Sequence, residues 1–181
     1  KLKGSLFHLT GGSIHTYRRM IHHMDEGIGQ LLDALRQLGQ LDHTLLVFTS
    51  DNGGERFSDN WPLVGGKMDL TEGGIRVPYI AHWPAVVAPG KVSAQHCLTM
   101  DWSATLLAAA GVAAHPDYPL DGVSMLPVLH DAGASFHRPM HWRMNHCGQR
   151  AHRGQRAHRD GDWMYLRVDC DDYLFDIAVD E

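Results

Sequence analysis

The sequence predicts an α/β fold with a small antiparallel sheet at its C-terminal end. Three observations carry this expectation. A long amphipathic helical pattern over residues 13–38 precedes a short continuous apolar run, TLLVFTS, at 44–50. A Gly-rich polar loop follows that run, at the strand end where α/β proteins build their sites. After about residue 137, short aromatic-containing segments alternate with polar turns.

The helix comes first. Ile14, Tyr17, Met20, Ile21, Met24, Ile28, Leu31, Leu32, Leu35 and Leu38 recur at steps of three and four, the spacing of one helical face. Ser13 is the expected N-cap and Gly39 the expected C′ residue. Gly27 and Gly29 cost helix propensity, which predicts close packing of this helix on a sheet. The run 44–50 is continuous rather than alternating, as expected of a strand buried on both faces. Loop extends to about residue 75. A second strand spans 77–83, and Pro78 puts it at an edge or makes it start there. A helix over 101–110 is ended by Gly111. The stretch 114–122, AHPDYPLDG, reads as a linker or loop.

Three short strands are then expected at 139–144, 163–168 and 173–177. Between the first two lies a tandem hexapeptide, GQRAHR at 148–153 and again at 154–159. Two copies do not make a solenoid. The expectation is an inserted surface loop, where extra length costs little. The chain thus divides into units 1–136 and 137–181.

Hydrophobic content of 44% and charged content of 20% describe a globular chain. A net charge of −5 gives no general attraction to nucleic acid or to an acidic membrane. No apolar run approaches the roughly 20 residues needed to span a bilayer. Three widely spaced cysteines make neither a disulfide framework nor a zinc site. They are expected to be reduced and partly buried. Fourteen histidines include His22 with His23, His137 with His141, and His152 with His158, but no closed ligand set. Four arginines in the hexapeptides suggest nucleic-acid binding, against which stand the acidic net charge and the lack of interleaved aromatics.

The polar loop holds the chemistry. Asp51 and Asn52 offer hard oxygen ligands for Ca²⁺ or Mg²⁺, and Asp-Asn-Gly is also a favoured turn. Lys67, approached through Gly65 and Gly66, can neutralise an anionic group held by such a cation, or be a solvated loop lysine. Glu72 and Arg76 flank Gly73 and Gly74 and are expected to brace the loop as an ion pair. Glu55 and Arg56 follow the DNG and could face a substrate.

The runs VFTSDNGGERF and GGKMDLTEGGIRVPYIAHWP resemble the C-terminal half of a type I sulfatase catalytic domain, in the alkaline-phosphatase-like superfamily. The resemblance extends upstream through YRRMIHHMDEGIGQLLDAL. Downstream it takes in MDWSATLLAAAGV, PLDGVSMLPVL, RDGDWMYLRV and DYLFDIAVDE, in family order. It implies the distal part of an alkaline-phosphatase-like sandwich, a mostly parallel sheet with flanking helices. Residues 1–136 would be catalytic-domain sequence and 137–181 a small C-terminal subdomain. It implies that Asp51 and Asn52 ligate Ca²⁺ and that Lys67 contacts the sulfate ester and a formylglycine nucleophile. Met68 stands where the family more often has a small residue. The group of bacterial arylsulfatases and N-acetylgalactosamine-6-sulfatases looks most similar.

The family's nucleophile pattern, Cys or Ser-x-Pro-Ser or Ala-Arg, does not occur. Cys97, Cys147 and Cys170 are followed by LTM, GQR and DDY. With a start at Lys1, this leads us to expect the distal half of an enzyme, inactive alone and binding Ca²⁺ weakly or not at all. The missing N-terminal half is then its expected partner, and exposed apolar surface invites self-association. The expected substrate is a sulfate-ester small molecule or a sulfated sugar, in a bacterial periplasm or cytoplasm. Two other readings stay open: a truncated non-catalytic interaction module, and a phosphate or phosphonate ester hydrolase of the same superfamily.

Overall fold

The computed structural model describes residues 12–145 and 154–180. The elements run α1 (Ile14–Gln37), a 3-10 turn (Leu41–His43), β1 (Leu46–Thr49), α2 (Glu72–Ile75), β2 (Tyr79–His82), α3 (Asp101–Ala109), α4 (Leu126–His130), β3 (Met140–Asn145), β4 (Gly154–Asp160), β5 (Trp163–Val168) and β6 (Asp171–Asp176). The α/β class and the small C-terminal antiparallel sheet are both as expected.

The ends of α1 follow local chemistry. The Ser13 hydroxyl accepts a hydrogen bond from the Thr16 N–H at 3.1 Å, and Gly39 takes the C′ position at φ +65°. Its expected packing does not follow. A Cβ added to Gly27 or Gly29 would meet nothing within 4 Å, and no residue of α1 is buried. The described residues cover little of its apolar stripe, so Met20 and Leu38 are 65% and 71% exposed.

Strand β1 pairs with β2 antiparallel, from Leu46 opposite His82 to Thr49 opposite Tyr79. A mostly parallel sheet was expected, yet no parallel pair occurs among the described residues. A parallel pair needs a crossover of a dozen or more residues, usually a helix. The connection here is long enough but holds no crossover helix, only the four-residue α2, and otherwise folds as loop behind the end of β1. Nor is β1 buried on both faces, because a two-stranded sheet leaves its faces open; Phe48 and Ile80 are exposed.

Asp101, at the start of α3, has no exposed surface. Its carboxylate accepts from the N–H groups of Leu98 at 2.6 Å and Val123 at 2.9 Å, and pairs with the Arg138 guanidinium. The Thr105 hydroxyl donates to the Asp101 carbonyl at 2.7 Å and accepts from the Met125 N–H at 2.8 Å. These bonds tie α3 to the start of α4 and to the segment leading into β3.

The second sheet has the order β3-β4-β5-β6, antiparallel throughout. Ala157, Met164 and Leu166 form its inner face, joined by Trp142, Met144 and Phe175. Leu70, from the loop between β1 and β2, and Ile75, the last residue of α2, close this core.

The second GQRAHR copy is not the surface loop that was expected; it is most of β4. Ala157 and Arg159 are buried. The Gln155 amide accepts from the Leu70 N–H at 2.8 Å and donates to the Met68 carbonyl at 3.2 Å. The inward positions alternate Gln, Ala and Arg, so the strand lacks an apolar period. The usable signal was the Gly161-Asp162 turn before Trp163, with Gly161 at φ +61°, which joins β4 to β5 as a two-residue hairpin. The first copy lies outside the described residues. Deleting either copy gives the same sequence, and the one left can supply every β4 side chain. The deletion should therefore keep the far-ultraviolet dichroism and cost about 1 kcal/mol, or roughly 2–4 °C. Loss of the cooperative transition would show that β4 needs both copies.

Candidate active site

Six glycines draw three loop segments together behind β1. The Gly53 N–H donates to the Gly74 carbonyl at 2.8 Å, the Gly73 N–H to Val64 at 2.8 Å, and the Lys67 N–H to Gly54 at 3.0 Å. A Cβ on Gly53 would lie 1.8 Å from the Gly73 oxygen, and one on Gly66 2.6 Å from the Gly54 oxygen. Only residues without side chains fit such backbone-on-backbone contacts. Asn60 stitches the loops: its Nδ2 donates to the carbonyls of Gly54 and Gly65 at 3.0 and 3.1 Å, and its Oδ1 accepts from the Gly54 N–H at 3.1 Å. Sequence reasoning missed Asn60, since a loop asparagine carries no signal of its distant partners.

Ser50 follows the last residue of β1, and its hydroxyl donates to the Asn52 carbonyl at 2.7 Å. Asp51 is exposed and Asn52 half-buried. Both line a cleft of 400 Å³ with Asp69, Cys97 and the edge strand β3. Asn52 also lines a neighbouring cleft of 930 Å³ with Lys67, Glu55, Arg56 and Arg76. Thus Asn52 lines both clefts, Asp51 the first and Lys67 the second. The described residues contain no group of three or more His, Cys, Asp or Glu able to hold a metal ion. Asp51 and Asn52 suit a hard cation by donor type, but a Ca²⁺ site takes six to eight oxygens. Asp69 lies nearby with its Oδ2 accepting from the Gly66 N–H at 3.1 Å.

Glu72 braces the loop as expected. It pairs with Arg76 at 3.5 Å and also with the buried Arg159 of β4 at 3.1 Å. His96 stands in the field of this group. Burial holds its imidazole below the ordinary value of 6.5, and the Arg159 charge lowers it further. Met68 has φ +77°, the left-handed region that favours a small residue, so the backbone suits the residue the family more often has there and is strained by Met68. Cys97 and Cys170 are free; burial pushes the Cys97 thiol up, and Asp101 adds to the effect. Cys147 lies outside the described residues. No helix is long and apolar enough to cross a membrane among them.

Residues 7–112 match the sulfatase family model. N-acetylgalactosamine-6-sulfatase of Homo sapiens is 39% identical over 119 residues, 62% of this chain and 23% of that protein. Steryl-sulfatase of Mus musculus is 38% identical over 139 residues, 70% of this chain and 22% of that protein. Among solved structures, Ps i-CgsB in complex with k-i-k-neocarrahexaose superposes with a TM-score of 0.84 at 32% identity. It covers 94% of this chain, which spans 38% of it. BT4656 in complex with its substrate D-glucosamine-2-N,6-O-disulfate superposes with a TM-score of 0.73 at 25% identity, over 88% of this chain and 33% of its own.

Proposed function

Since the chain belongs to the sulfatase family, we propose that it supplies Asp51, Asn52 and Lys67 to a site that hydrolyses the sulfate ester of a sulfated sugar. The observation that carries this reading is the bond from the Lys67 N–H to the Gly54 carbonyl. It holds the lysine backbone against the loop of Asn52, beside a cleft that both residues line. The bound substrate of BT4656, a glucosamine disulfate, supports a sulfated sugar as the class.

The Lys67 ammonium would face the sulfate oxygens and stabilise the negative charge that grows on them as the ester bond breaks. Asp51 and Asn52 would give oxygen ligands to Ca²⁺, or to Mg²⁺, which supplies further charge for the same oxygens. Glu72, held by Arg76 and Arg159, keeps α2 and its glycines in place rather than reacting. The chain spans less than a quarter of each of the two curated relatives above. We assign the formylglycine nucleophile and the remaining metal ligands to a companion N-terminal portion of the same protein.

Turnover of an aryl sulfate by the longer protein carrying this chain tests the reading. Lys67→Ala should lower kcat/KM about 10²–10³-fold, the usual cost of one charge-stabilising donor. The thermal midpoint should stay put, because the lysine side chain is exposed. The 181-residue chain alone should give no turnover above a protein-free control. Equal rates for the variant and the parent would overturn the assignment. Faster turnover of a matched phosphate ester would shift the reaction class.

A further inference from the structure

The strand register builds two polar rows on the outward face of the C-terminal sheet. His141 lies opposite His158, and His158 opposite Tyr165; in the next row Arg143 lies opposite Arg156, and Arg156 opposite Arg167. All three arginines are exposed, while the alternate residues Trp142, Ala157 and Leu166 pack inward. Neighbouring strands run about 4.8 Å apart, so the three arginine backbones stand within roughly 10 Å.

Like charges placed directly opposite across strands are unfavourable. Nothing in the sheet relieves most of this. Asp172 meets Arg167 at 3.7 Å, and its Oδ1 also accepts from the Tyr165 hydroxyl at 2.6 Å. Arg143 and Arg156 have no ion-pair partner among the described residues. A depression of 340 Å³ opens at this row, lined by Asn145, Gly154, Arg156, Arg167 and Asp169. At the other end of the row, Arg143 borders the cleft of Asp51 and Asn52. A strip of positive charge therefore starts at the rim of the candidate site and crosses three strands.

We propose that this arginine row is a docking track for a sulfated polysaccharide, holding the polymer beyond the residue that enters the cleft. A chain of regularly spaced sulfates supplies the counter-charges that the cross-strand arginines lack, and guanidinium forks suit such oxyanions. The strip is narrow. Asp160 lies on the same outward face beyond the histidine row, and Asp169 lines the depression itself. No aromatic interleaves the arginines to stack bases, which disfavours a nucleic acid. The choice of sulfate among anionic groups rests on the proposed hydrolysis of sulfate esters.

Binding of the 181-residue chain to heparin, without turnover, tests the track. Affinity should fall steeply between about 50 and 200 mM salt, as for any polyelectrolyte contact. The double variant Arg143→Gln, Arg156→Gln should bind about tenfold more weakly. Lys91→Gln, an exposed cation off this sheet, should bind as the parent does. Relief of cross-strand repulsion should leave the midpoint of the double variant unchanged or raised, so weaker binding is not lost folding. Undiminished heparin binding by the double variant would overturn the track. So would equal affinity for hyaluronan, which carries carboxylates but no sulfate, or for duplex DNA. Heparin binding that needs the arginines, with no sulfate-ester hydrolysis by the longer protein carrying this chain, would overturn the proposed reaction and leave the track standing.

Discussion

Gly53→Ala is expected to destabilise the chain by about 3 kcal/mol or more, beyond the usual range for an added core methyl. The new Cβ would sit 1.8 Å from the Gly73 oxygen and 2.8 Å from the Gly74 Cα, and both neighbours are backbone. Neither can rotate away as a side chain would. Room can be made only by breaking the Gly53 to Gly74 hydrogen bond, which separates the loop of Asp51 and Asn52 from the loops behind it. A fall of at least 6–12 °C in the thermal midpoint follows, at roughly 2–4 °C per kcal/mol for a chain of this size. Gly27→Ala is the control of opposite sign. It adds the same methyl in open space on a helix and should stabilise by about 0.5–1 kcal/mol. An unchanged midpoint for Gly53→Ala would mean that the three loops do not meet as described.

Asp101→Ala should cost about 3–5 kcal/mol, the range for removing one partner of a buried ion pair. The loss leaves the Arg138 guanidinium, whose side chain is 9% exposed, without its carboxylate. It also strands the N–H groups of Leu98 and Val123. The corresponding fall is about 6–20 °C. Removing the guanidinium as well, in Asp101→Asn with Arg138→Met, should recover part of the loss, because no buried charge is then left alone. A single variant within about 1 kcal/mol of the parent would show that this carboxylate does not organise α3.

These two positions differ in how far the sequence announced them. Gly53 stood inside a motif that was read as a site, while Asp101 appeared only as the first residue of a helix. Nothing local marks an aspartate whose partners are Val123 and Arg138. The candidate site was partly legible in the same sense. Asp51, Asn52 and Lys67 could be named from residue type and order, because hard oxygen donors and an ammonium among glycines suggest an anion held by a cation. That Asn52 lines two clefts, and that Asp51 and Lys67 open on different ones, could not be read.

The sequence by itself determined the elements whose causes are local. The span of α1 follows from a 3.6-residue period with Ser13 and Gly39 at its ends. The span of β5, Trp163–Val168, follows from an aromatic-rich run bounded by turns. Tertiary structure alone decided the rest. Two identical hexapeptides have identical internal preferences; the Gly161-Asp162 turn favours the second copy, and contacts from Gln155 to Met68 and Leu70 and from Arg159 to Glu72 hold it in place as β4. The antiparallel pairing of β1 with β2 and the joining of the glycine loops have the same origin. They rest on backbone hydrogen bonds between segments distant in the chain, and a glycine or a carbonyl carries no side-chain pattern that could encode its partner.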